Sequence, residues 1–183
     1  MFGTLSLTEL QQVTTYAGRF RLGDCAVVID STYGPLKAVW VYSNEALTVV
    51  GAPVYPDHTA GDWYVTEDEN DSGVIGQEYC VGSFLSSAAV TTAFYGWILV
   101  WGLTPNALTT DGTADTDTPR MIGTATDGTW AGVAASQNIA ASSGTVYTPG
   151  FIVGSWLADD SSTTLAAGNA LLHSVWASCP QTV

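Results

Sequence analysis

Basic side chains are the scarcest feature of this sequence. Only four lysine and arginine residues face seventeen aspartates and glutamates, which gives a formal net charge of -13. Nucleic-acid binding depends on basic side chains that neutralise phosphates, so this composition excludes DNA and RNA as partners. An anionic membrane surface is disfavoured on the same electrostatic grounds. If the protein belongs to a container for nucleic acid, we expect it on the outside.

Charge of either sign is also sparse. Charged residues make up 11% of the chain, compared with about 25% in an average soluble domain. Hydrophobic residues make up 46% and include 7 Trp, 8 Tyr and 5 Phe, which is enough for a folded core. A soluble monomer usually covers its surface with charges, whereas a surface that becomes buried in an assembly needs fewer. The composition therefore favours an assembling protein; the alternative is a Thr- and Ser-rich β surface that is soluble without charge.

Cysteines, targeting signals and long apolar runs are also missing or few. Cys25, Cys80 and Cys179 are an odd number without a Cys-x-x-Cys pair, so we expect buried free thiols and neither a disulfide framework nor a zinc site. The first ten residues hold no basic segment, long apolar core or cleavage site, which predicts synthesis in the cytoplasm. The longest apolar stretch, residues 97–101, is far shorter than the roughly 20 residues that cross a bilayer. We expect no membrane partner.

The chain shows no arrangement typical of an active site. Its only histidines, His58 and His173, neighbour neither a Cys nor a Gly-x-Ser-x-Gly elbow. A glycosidase needs two convergent carboxylates on ordered elements, but Glu67 and Glu69 lie in an acidic tract that reads as a solvated loop. Glycine motifs that hold phosphates are absent. The sequence therefore predicts a protein without catalytic activity.

One oxygen-rich segment resembles half of a calcium loop. Asp68, Asn70 and Ser72 alternate before Gly73, as the first ligands of such loops do. The twelfth position is Tyr79, where a bidentate Glu is needed, and segments of this kind are more often merely solvated. We expect no cofactor, with calcium at Asp68, Asn70 and Ser72 as the one metal hypothesis.

The first 18 residues are the only segment with helical character. Ser6 and Glu9 form a possible capping box, and Leu10, Val13 and Ala17 recur at helical spacing before Gly18. The pattern predicts a short helix or an N-terminal arm over residues 1–18.

Beyond Gly18 the pattern changes to short β-rich runs separated by Gly, Pro, Asp and Asn. Short β-rich runs separated by turn-forming residues predict an all-β fold, a sandwich or barrel-like antiparallel domain over residues 19–183. The expected strands cover residues 19–22, 26–30, 37–42, 47–50, 62–66, 79–84, 95–101, 121–125, 129–134, 147–157 and 170–176. The repeated Thr-Asp-Gly-Thr at 110–113 and 126–129 predicts two hairpin turns.

Two of these strands have distinctive faces. Val39 and Val41 can share one face of the strand at 37–42. The strand at 95–101 is apolar on both faces, so we expect it to be covered on each side, by its own core on one and by another layer or another subunit on the other. Most of the seven tryptophans lie in such apolar runs and predict core or interface packing. Trp63 and Trp130, between polar neighbours, are instead candidates for a sugar-stacking platform.

The segment Tyr95-Gly96-Trp97-Ile98-Leu99-Val100-Trp101-Gly102 is similar to a strand found in the head decoration and cement proteins of tailed bacteriophages. Weaker patterns follow at 122–125 and 132–134, with turns at 110–112 and 167–169, so that the resemblance covers residues 45–176. It implies a β-rich, often trimeric protein without an active site that binds the outer face of an assembled capsid. By analogy, the N-terminal arm becomes a docking strap.

The resemblance and the composition together predict a virion structural protein on the outer capsid surface, made in the host cytoplasm. Its expected partners are the major capsid protein and further copies of itself, with a trimer favoured. The residues expected at these contacts are Leu10, Val13, Trp97, Leu99 and Trp101. The alternative is a head-fibre or tail adhesin module that binds host-surface glycans through Trp63 or Trp130.

Overall fold

The predicted all-β fold is confirmed. The computed structural model describes residues 5–15, 18–43, 51–57, 61–67, 80–86, 94–105, 107–108, 120–123, 130–133, 154–156, 164–165 and 170–173. Over these residues the backbone forms one short helix and twelve strands. They are α1 Leu7–Leu10, β1 Cys25–Asp30, β2 Gly34–Ser43, β3 Pro53–Pro56, β4 Val65–Thr66, β5 Gly82–Phe84, β6 Phe94–Leu103, β7 Ala107–Leu108, β8 Arg120–Gly123, β9 Trp130–Val133, β10 Gly154–Trp156, β11 Thr164–Leu165 and β12 Ala170–His173.

Strand β6 organises the sheet. Ten strands are joined in the order β4-β3-β5-β6-β12-β10-β8-β9, with β2 also on β6 and β1 outside β2, while β7 and β11 pair separately. All pairings between these strands are antiparallel. One side of β6 is followed by β2 over its length, and the other side by β5 and then β12. The aromatic and β-branched residues of β6 suit this central place.

Both faces of β2 and β6 are buried over most of the length of these strands, each in a different core. The first, called the aromatic core, contains Leu10, Ala26, Val28, Leu36, Ala38, Trp40, Tyr55, Cys80, Leu85, Trp97, Leu99, Trp130 and Leu172. The second, called the valine core, contains Val39, Val41, Val54, Val65, Val81, Phe84, Phe94, Ile98 and Val100. The predicted two-sided cover of β6 is therefore confirmed, and both covers come from this chain. Each fully buried Val, Leu or Ile in these cores contributes roughly 1.5–3 kcal/mol.

A side chain from one end of the strand order reaches a residue near the other end. Trp130 opens β9, at one end of the strand order, and its indole N–H donates a hydrogen bond of 2.8 Å to the carbonyl of Gly51, just before β3 near the other end. Trp130 is fully buried in the aromatic core. This hydrogen bond ties the start of β9 to the segment that precedes β3.

The predicted capping box is present, but the helix is shorter than its pattern. Ser6 N–H donates to Glu9 Oε2 at 2.8 Å, and Glu9 N–H donates to Ser6 Oγ at 3.3 Å. The helix ends at Leu10, and the backbone of Thr14 then exchanges hydrogen bonds of 2.9 and 2.6 Å with Tyr95 of β6. These bonds need an extended backbone at Thr14, so the helical spacing that extends to Ala17 is not followed. The N-terminal segment thus lies on the sheet.

Most predicted strands overlap an observed strand within the described residues, with β1, β2 and β6 longer than predicted, and one predicted strand is wrong. Residues 19–22 do not form a strand, because Asp24 closes a turn with Arg21: its carboxylate accepts from Arg21 N–H at 2.8 Å and its N–H donates to Arg21 O at 3.0 Å. The predicted strand at 47–50 lies outside the described residues. Strand β3, which the pattern did not predict, begins and ends with proline, a residue that normally argues against a strand.

The second predicted hairpin is supported by its flanking strands. Strands β8 and β9 are consecutive and antiparallel, with Gly123 opposite Trp130. The repeat at 126–129 lies between them and, like the repeat at 110–113, is outside the described residues. The strands on either side of the first repeat, β7 and β8, pair with β11 and with β9 and β10 respectively.

Candidate functional site

A row of side chains that includes two large apolar residues crosses one face of the sheet and is open to solvent. Val27 of β1 lies opposite Lys37 of β2, Lys37 lies opposite Trp101 of β6, and Trp101 lies opposite His173 of β12. Directly opposed residues in antiparallel strands project from the same face. Val27 is 48% exposed and Trp101 is 39% exposed, although both are large and apolar.

A second row of the same face lies next to the first. Ile29 of β1, which is 78% exposed, lies opposite Pro35 of β2, which is also exposed. We call the two rows the exposed face; its members are Val27, Ile29, Pro35, Lys37, Trp101 and His173. Their neighbours on β1, Ala26 and Val28, point the other way into the aromatic core. Strand alternation therefore places a buried and an exposed apolar set on the two sides of one strand.

A β-bulge turns Trp101 towards solvent. The partner of Lys37 is Trp101, but the partner of the next residue, Ala38, is Leu99, so Val100 is an extra residue in β6. Leu99 and Ala38 both lie in the aromatic core. Without the extra residue Trp101 would share that side with Leu99; the bulge moves it to the side of Lys37. Bulges commonly redirect a side chain in this way.

The exposed face carries little charge. Lys37 and His173 are its only ionisable members, in a chain with a net charge of -13. The nearest acid along β1, Asp30, has its carboxylate occupied, because Oδ1 accepts from Thr32 N–H at 2.7 Å and from Tyr33 N–H at 3.0 Å. The face is thus an almost neutral, apolar area on an acidic protein.

An aromatic cleft of about 390 Å³ opens between the N-terminal segment and the sheet. Its residues are Leu5, Glu9, Gln12, Val13, Thr14, Gly18, Arg19, Phe20, Trp40 and Trp97. The rings of Phe20, Trp40 and Trp97 lie with centroids 5.0 to 5.1 Å apart. Small-molecule sites usually measure about 300–1,000 Å³ and combine apolar walls with a few polar groups, so the cleft is large enough for a small ligand.

The polar groups of this cleft are mostly at its rim. Arg19 lies 3.9 Å from the carboxylate of Glu9 and 5.2 Å above the ring of Phe20, and both charged side chains are well exposed. The backbone N–H and the hydroxyl of Ser6 hold the pKa of Glu9 below its ordinary value, and Arg19 adds a smaller effect. The buried indole N–H of Trp40 has no hydrogen-bond partner. Such a donor is costly to leave unpaired.

The residues predicted to contact a capsid or another copy separate into two groups. Trp101 belongs to the exposed face, and Val13 is half-buried at the aromatic cleft. Leu10, Trp97 and Leu99 are at most 3% exposed, because their side chains fill the aromatic core. This corrects the expectation for these three, which pack in the core, with Trp97 also forming part of the wall of the aromatic cleft.

The predicted sugar-stacking pair does not form a platform. Trp130 is fully buried, so that expectation is wrong for it. Trp63 is half-buried and packs against the valine core and Gly23, where it has a positive φ of 63°. The aromatic cleft offers another ring for such a role, that of half-buried Phe20, which the sequence placed in a strand. The position of Phe20 depends on how the N-terminal segment packs against β2 and β6, which local sequence patterns do not predict.

The remaining candidate positions do not add a site. Asp68, Asn70 and Ser72, the calcium hypothesis, lie outside the described residues, as do His58 and Cys179. Within the described part of the chain, no three His, Cys, Asp or Glu side chains are close enough to hold a metal ion. In the same residues, no helix has the length and apolar character to cross a membrane. Cys80 is buried as predicted, whereas Cys25 is only half-buried.

No family model, curated protein or solved structure matches this chain. Two surface features of the described residues could bind a partner, the exposed face and the aromatic cleft.

Proposed function

We propose that this protein is a bacteriophage structural protein that decorates the outer surface of the capsid and contacts copies of itself and the major capsid protein. The exposed face is the observation that supports this proposal. Its large apolar members, Val27, Ile29 and Trp101, are the ones that the described residues leave open to solvent. The proposal assigns the protein no catalytic activity.

Burial of the exposed face would favour association. Covering a Val or Ile side chain contributes roughly 1.5–3 kcal/mol, and tryptophan is among the residues that most often dominate binding energy at interfaces. A single contact of this size is weak. On a capsid the same contact repeats over the lattice, so several copies joined to one another bind through avidity.

The charge distribution agrees with a position outside the shell. A protein with a net charge of -13 is repelled by the packaged nucleic acid. The exposed face contains no acidic residue, and its two ionisable members are Lys37 and His173. It can therefore approach an acidic protein surface without repulsion between carboxylates. A position outside the shell keeps this acidic protein away from the packaged nucleic acid.

Binding to undecorated heads of the phage that carries this gene tests the proposal. Wild-type protein should sediment with the heads, and the double variant Ile29→Ser and Trp101→Ser should bind at least tenfold more weakly, since it removes the two largest apolar contacts. Thr15→Ala, exposed in the N-terminal segment, is the matched control and should bind like wild type. Circular dichroism confirms that all variants are folded. Wild-type protein that does not bind heads would contradict the proposal.

The aromatic cleft favours a second candidate function, recognition of host-surface glycans. Sugars present apolar C–H faces to aromatic rings and hydroxyls to polar groups, which fits the ring of Phe20 and a rim of Gln12 and Arg19. A glycan array distinguishes the two functions. Binding that is lost in Phe20→Ala and in Arg19→Ala, but kept in Trp101→Ser, would support the glycan role; an array without signal beside binding to heads would leave decoration alone.

A further inference from the structure

Strand β1 has one edge without a partner strand in the described part of the chain. It pairs with β2 on one side and is the outermost strand there. We propose that two copies of this protein pair antiparallel through the outer edges of β1, about a two-fold axis at Val28. The inference identifies the self-contact of the proposed decoration function and rests on that function for its purpose, but its geometry comes from β1 itself.

The sequence of β1 lacks the features that normally protect a sheet edge. Exposed edge strands usually carry lysine, proline, a bulge or an inward charge, which prevents other strands from adding to them. From Cys25 to Ile29 there is no charge and no proline, and the pairing with β2 is regular over all six residues. The single charge, Asp30, is at the end of the strand and is held by the following turn. Such an edge is suited to pairing with a further strand.

The positions of the apolar side chains select a second copy as that strand. Two-fold antiparallel pairing keeps every side chain on its own face, so the axis must pass through a residue and not between residues. With the axis at Val28, Val27 lies opposite Ile29 of the second copy and Ile29 opposite its Val27. The two most exposed apolar side chains of the described residues thus cover each other twice. Strand β1 is self-complementary in this register, as a two-fold contact requires.

Neighbouring registers are less favourable. An axis at Val27 places Ile29 opposite Cys25, which is half-buried beside the valine core. An axis at Ile29 places Val27 opposite Ser31, which belongs to the turn after β1. Only the axis at Val28 keeps residues 26–30 of both copies within the strand, with Asp30 opposite Ala26 and no like charges opposed.

The pairing also extends the exposed face. The row of Val27, Lys37 and Trp101 in one copy would continue into the row of Ile29 and Pro35 in the other copy. By the two-fold symmetry, the same continuation occurs from the second copy into the first. The two-fold pair therefore presents one apolar face of doubled width. A face of that width gives a capsid two equivalent contacts for each pair, so the self-contact strengthens the attachment through avidity.

The pair should be weak in isolation and strengthened by salt. A five-residue strand contact is much smaller than the roughly 800 Å² per partner of a standard stable interface. Each copy also carries a net charge of -13, so the two repel each other at long range. Salt screens this repulsion, with a Debye length of about 30 Å at 0.01 M and about 8 Å at 0.15 M. An interface held by opposite charges would respond to salt in the reverse direction.

Disulfide trapping tests the register. In a background with Cys25→Ala and Cys179→Ala, the double variant Val27→Cys and Ile29→Cys should form a covalent dimer under mild oxidation, with position 27 linked to position 29 of the other copy by mass spectrometry. Either single variant should form little dimer, because its two equal positions would be about 8 Å apart, beyond the roughly 7 Å between Cα atoms that a disulfide spans.

Sedimentation velocity tests the pairing without a new cysteine. The dimer fraction of the wild-type protein should rise with concentration and with sodium chloride. Ile29→Lys should reduce association by at least tenfold, whereas Thr15→Lys, which makes the same charge change at an exposed position elsewhere, should not. Circular dichroism again establishes that both variants fold.

Three outcomes would overturn the inference. The first is a protein that stays monomeric at every concentration of protein and salt and shows no disulfide between positions 27 and 29. The second is efficient dimer formation by a single-cysteine variant, which indicates another register. The third is a cysteine at position 27 that forms a disulfide with the capsid protein and not with a second copy. Binding to heads distinguishes this failure from that of the proposed function. If a strict monomer binds heads, the pairing is wrong and the decoration function stands. If a two-fold pair forms but does not bind heads, the decoration function is wrong and the pairing stands.

Discussion

The indole N–H of Trp130 and the hydroxyl of Ser83 both donate to one oxygen atom, the carbonyl oxygen of Gly51, at 2.8 and 3.1 Å. Trp130 is 79 positions from Gly51 along the chain and belongs to the far end of the strand order. All three groups are buried. A backbone carbonyl buried in this way needs a donor, so this shared acceptor joins the ends of the sheet.

Substitutions at Trp130 should separate the hydrogen bond from the packing of the ring. Trp130→Phe keeps most of the ring and leaves Gly51 with the hydroxyl of Ser83, so we expect a loss of about 1 kcal/mol in the free energy of unfolding. Trp130→Ala also creates a cavity in the aromatic core and should cost about 3–5 kcal/mol. Urea unfolding measures both. Trp101→Phe, at an exposed tryptophan, is the control and should change stability by less than about 0.5 kcal/mol; equal losses at the two sites would contradict the structural role of the Trp130 hydrogen bond and ring.

A pair of glycines distinguishes backbone strain from steric overlap. Gly23 and Gly34 both have a positive φ, 84° and 72°, which costs an alanine roughly 1 kcal/mol or more. A Cβ at Gly23 would lie 2.6 Å from the ring of Trp63, whereas nothing lies within 4 Å of a Cβ at Gly34. Gly23→Ala should therefore destabilise the protein more than Gly34→Ala, by a difference visible in thermal unfolding. In Trp63→Ala protein the two substitutions should have similar effects; a persisting difference would exclude Trp63 as its cause.

Local patterns in the sequence were sufficient for the fold class and for its central strands. The capping box, the shared face of Val39 and Val41 and the two buried faces of β6 all follow from residue type and spacing. Each depends on neighbours within a few positions, and such short-range rules are the ones that periodicity expresses. The turn at Asp24 was missed because Phe20 and its neighbours are equally compatible with a strand.

The exposed face could not be predicted in the same way. Residues 25–29 are apolar at every position, so alternation does not say which of them face solvent. Trp97, Leu99 and Trp101 look alike in sequence, and their different fates depend on the bulge at Val100, which is a property of the pairing with β2. Trp130 has polar neighbours in the chain, yet its burial is decided by Gly51, 79 positions away. Local sequence patterns do not contain the register in which distant strands pair, and that register determines which of these side chains are exposed.

The capping box should be sensitive to acid. The pKa of Glu9 is lowered in the folded protein by the backbone N–H and hydroxyl of Ser6, so its ionised form stabilises the fold above the ordinary carboxyl pKa, and this contribution is lost as pH falls through the lowered value. Ser6→Ala should reduce stability at pH 7 by about 0.5–1 kcal/mol, and the difference from wild type should shrink at pH 2 to 3. Thermal unfolding across pH measures it. Thr15→Ala is the control, and a difference that grows in acid would contradict the cap.

Burial makes Cys80 the least reactive cysteine in the described part of the chain. Its pKa is raised to about 12 because the thiol is fully buried, an effect that smaller opposing contributions from hydrogen bonds with the backbone of Gly82 and Val54 do not cancel. The thiolate is the reactive form, so iodoacetamide at pH 8.5 should label half-buried Cys25 faster than Cys80, and urea should remove the protection.

The same raised pKa of Cys80 makes stability fall in alkali. The Cys80 thiol has a pKa near its ordinary value of 9.0 in the unfolded protein and about 12 in the folded protein. Between these two pH values only the unfolded protein loses the thiol proton, which favours unfolding. The free energy of unfolding therefore falls as pH rises from about 9 to about 12. The full shift corresponds to about 4 kcal/mol. Urea unfolding between pH 8 and 11 should therefore show a steeper loss for wild type than for Cys80→Ala, in which tyrosines still titrate but this thiol does not. Parallel pH profiles, together with rapid labelling of Cys80 in the folded protein, would mean that the thiol is accessible and that the aromatic core is open at this position.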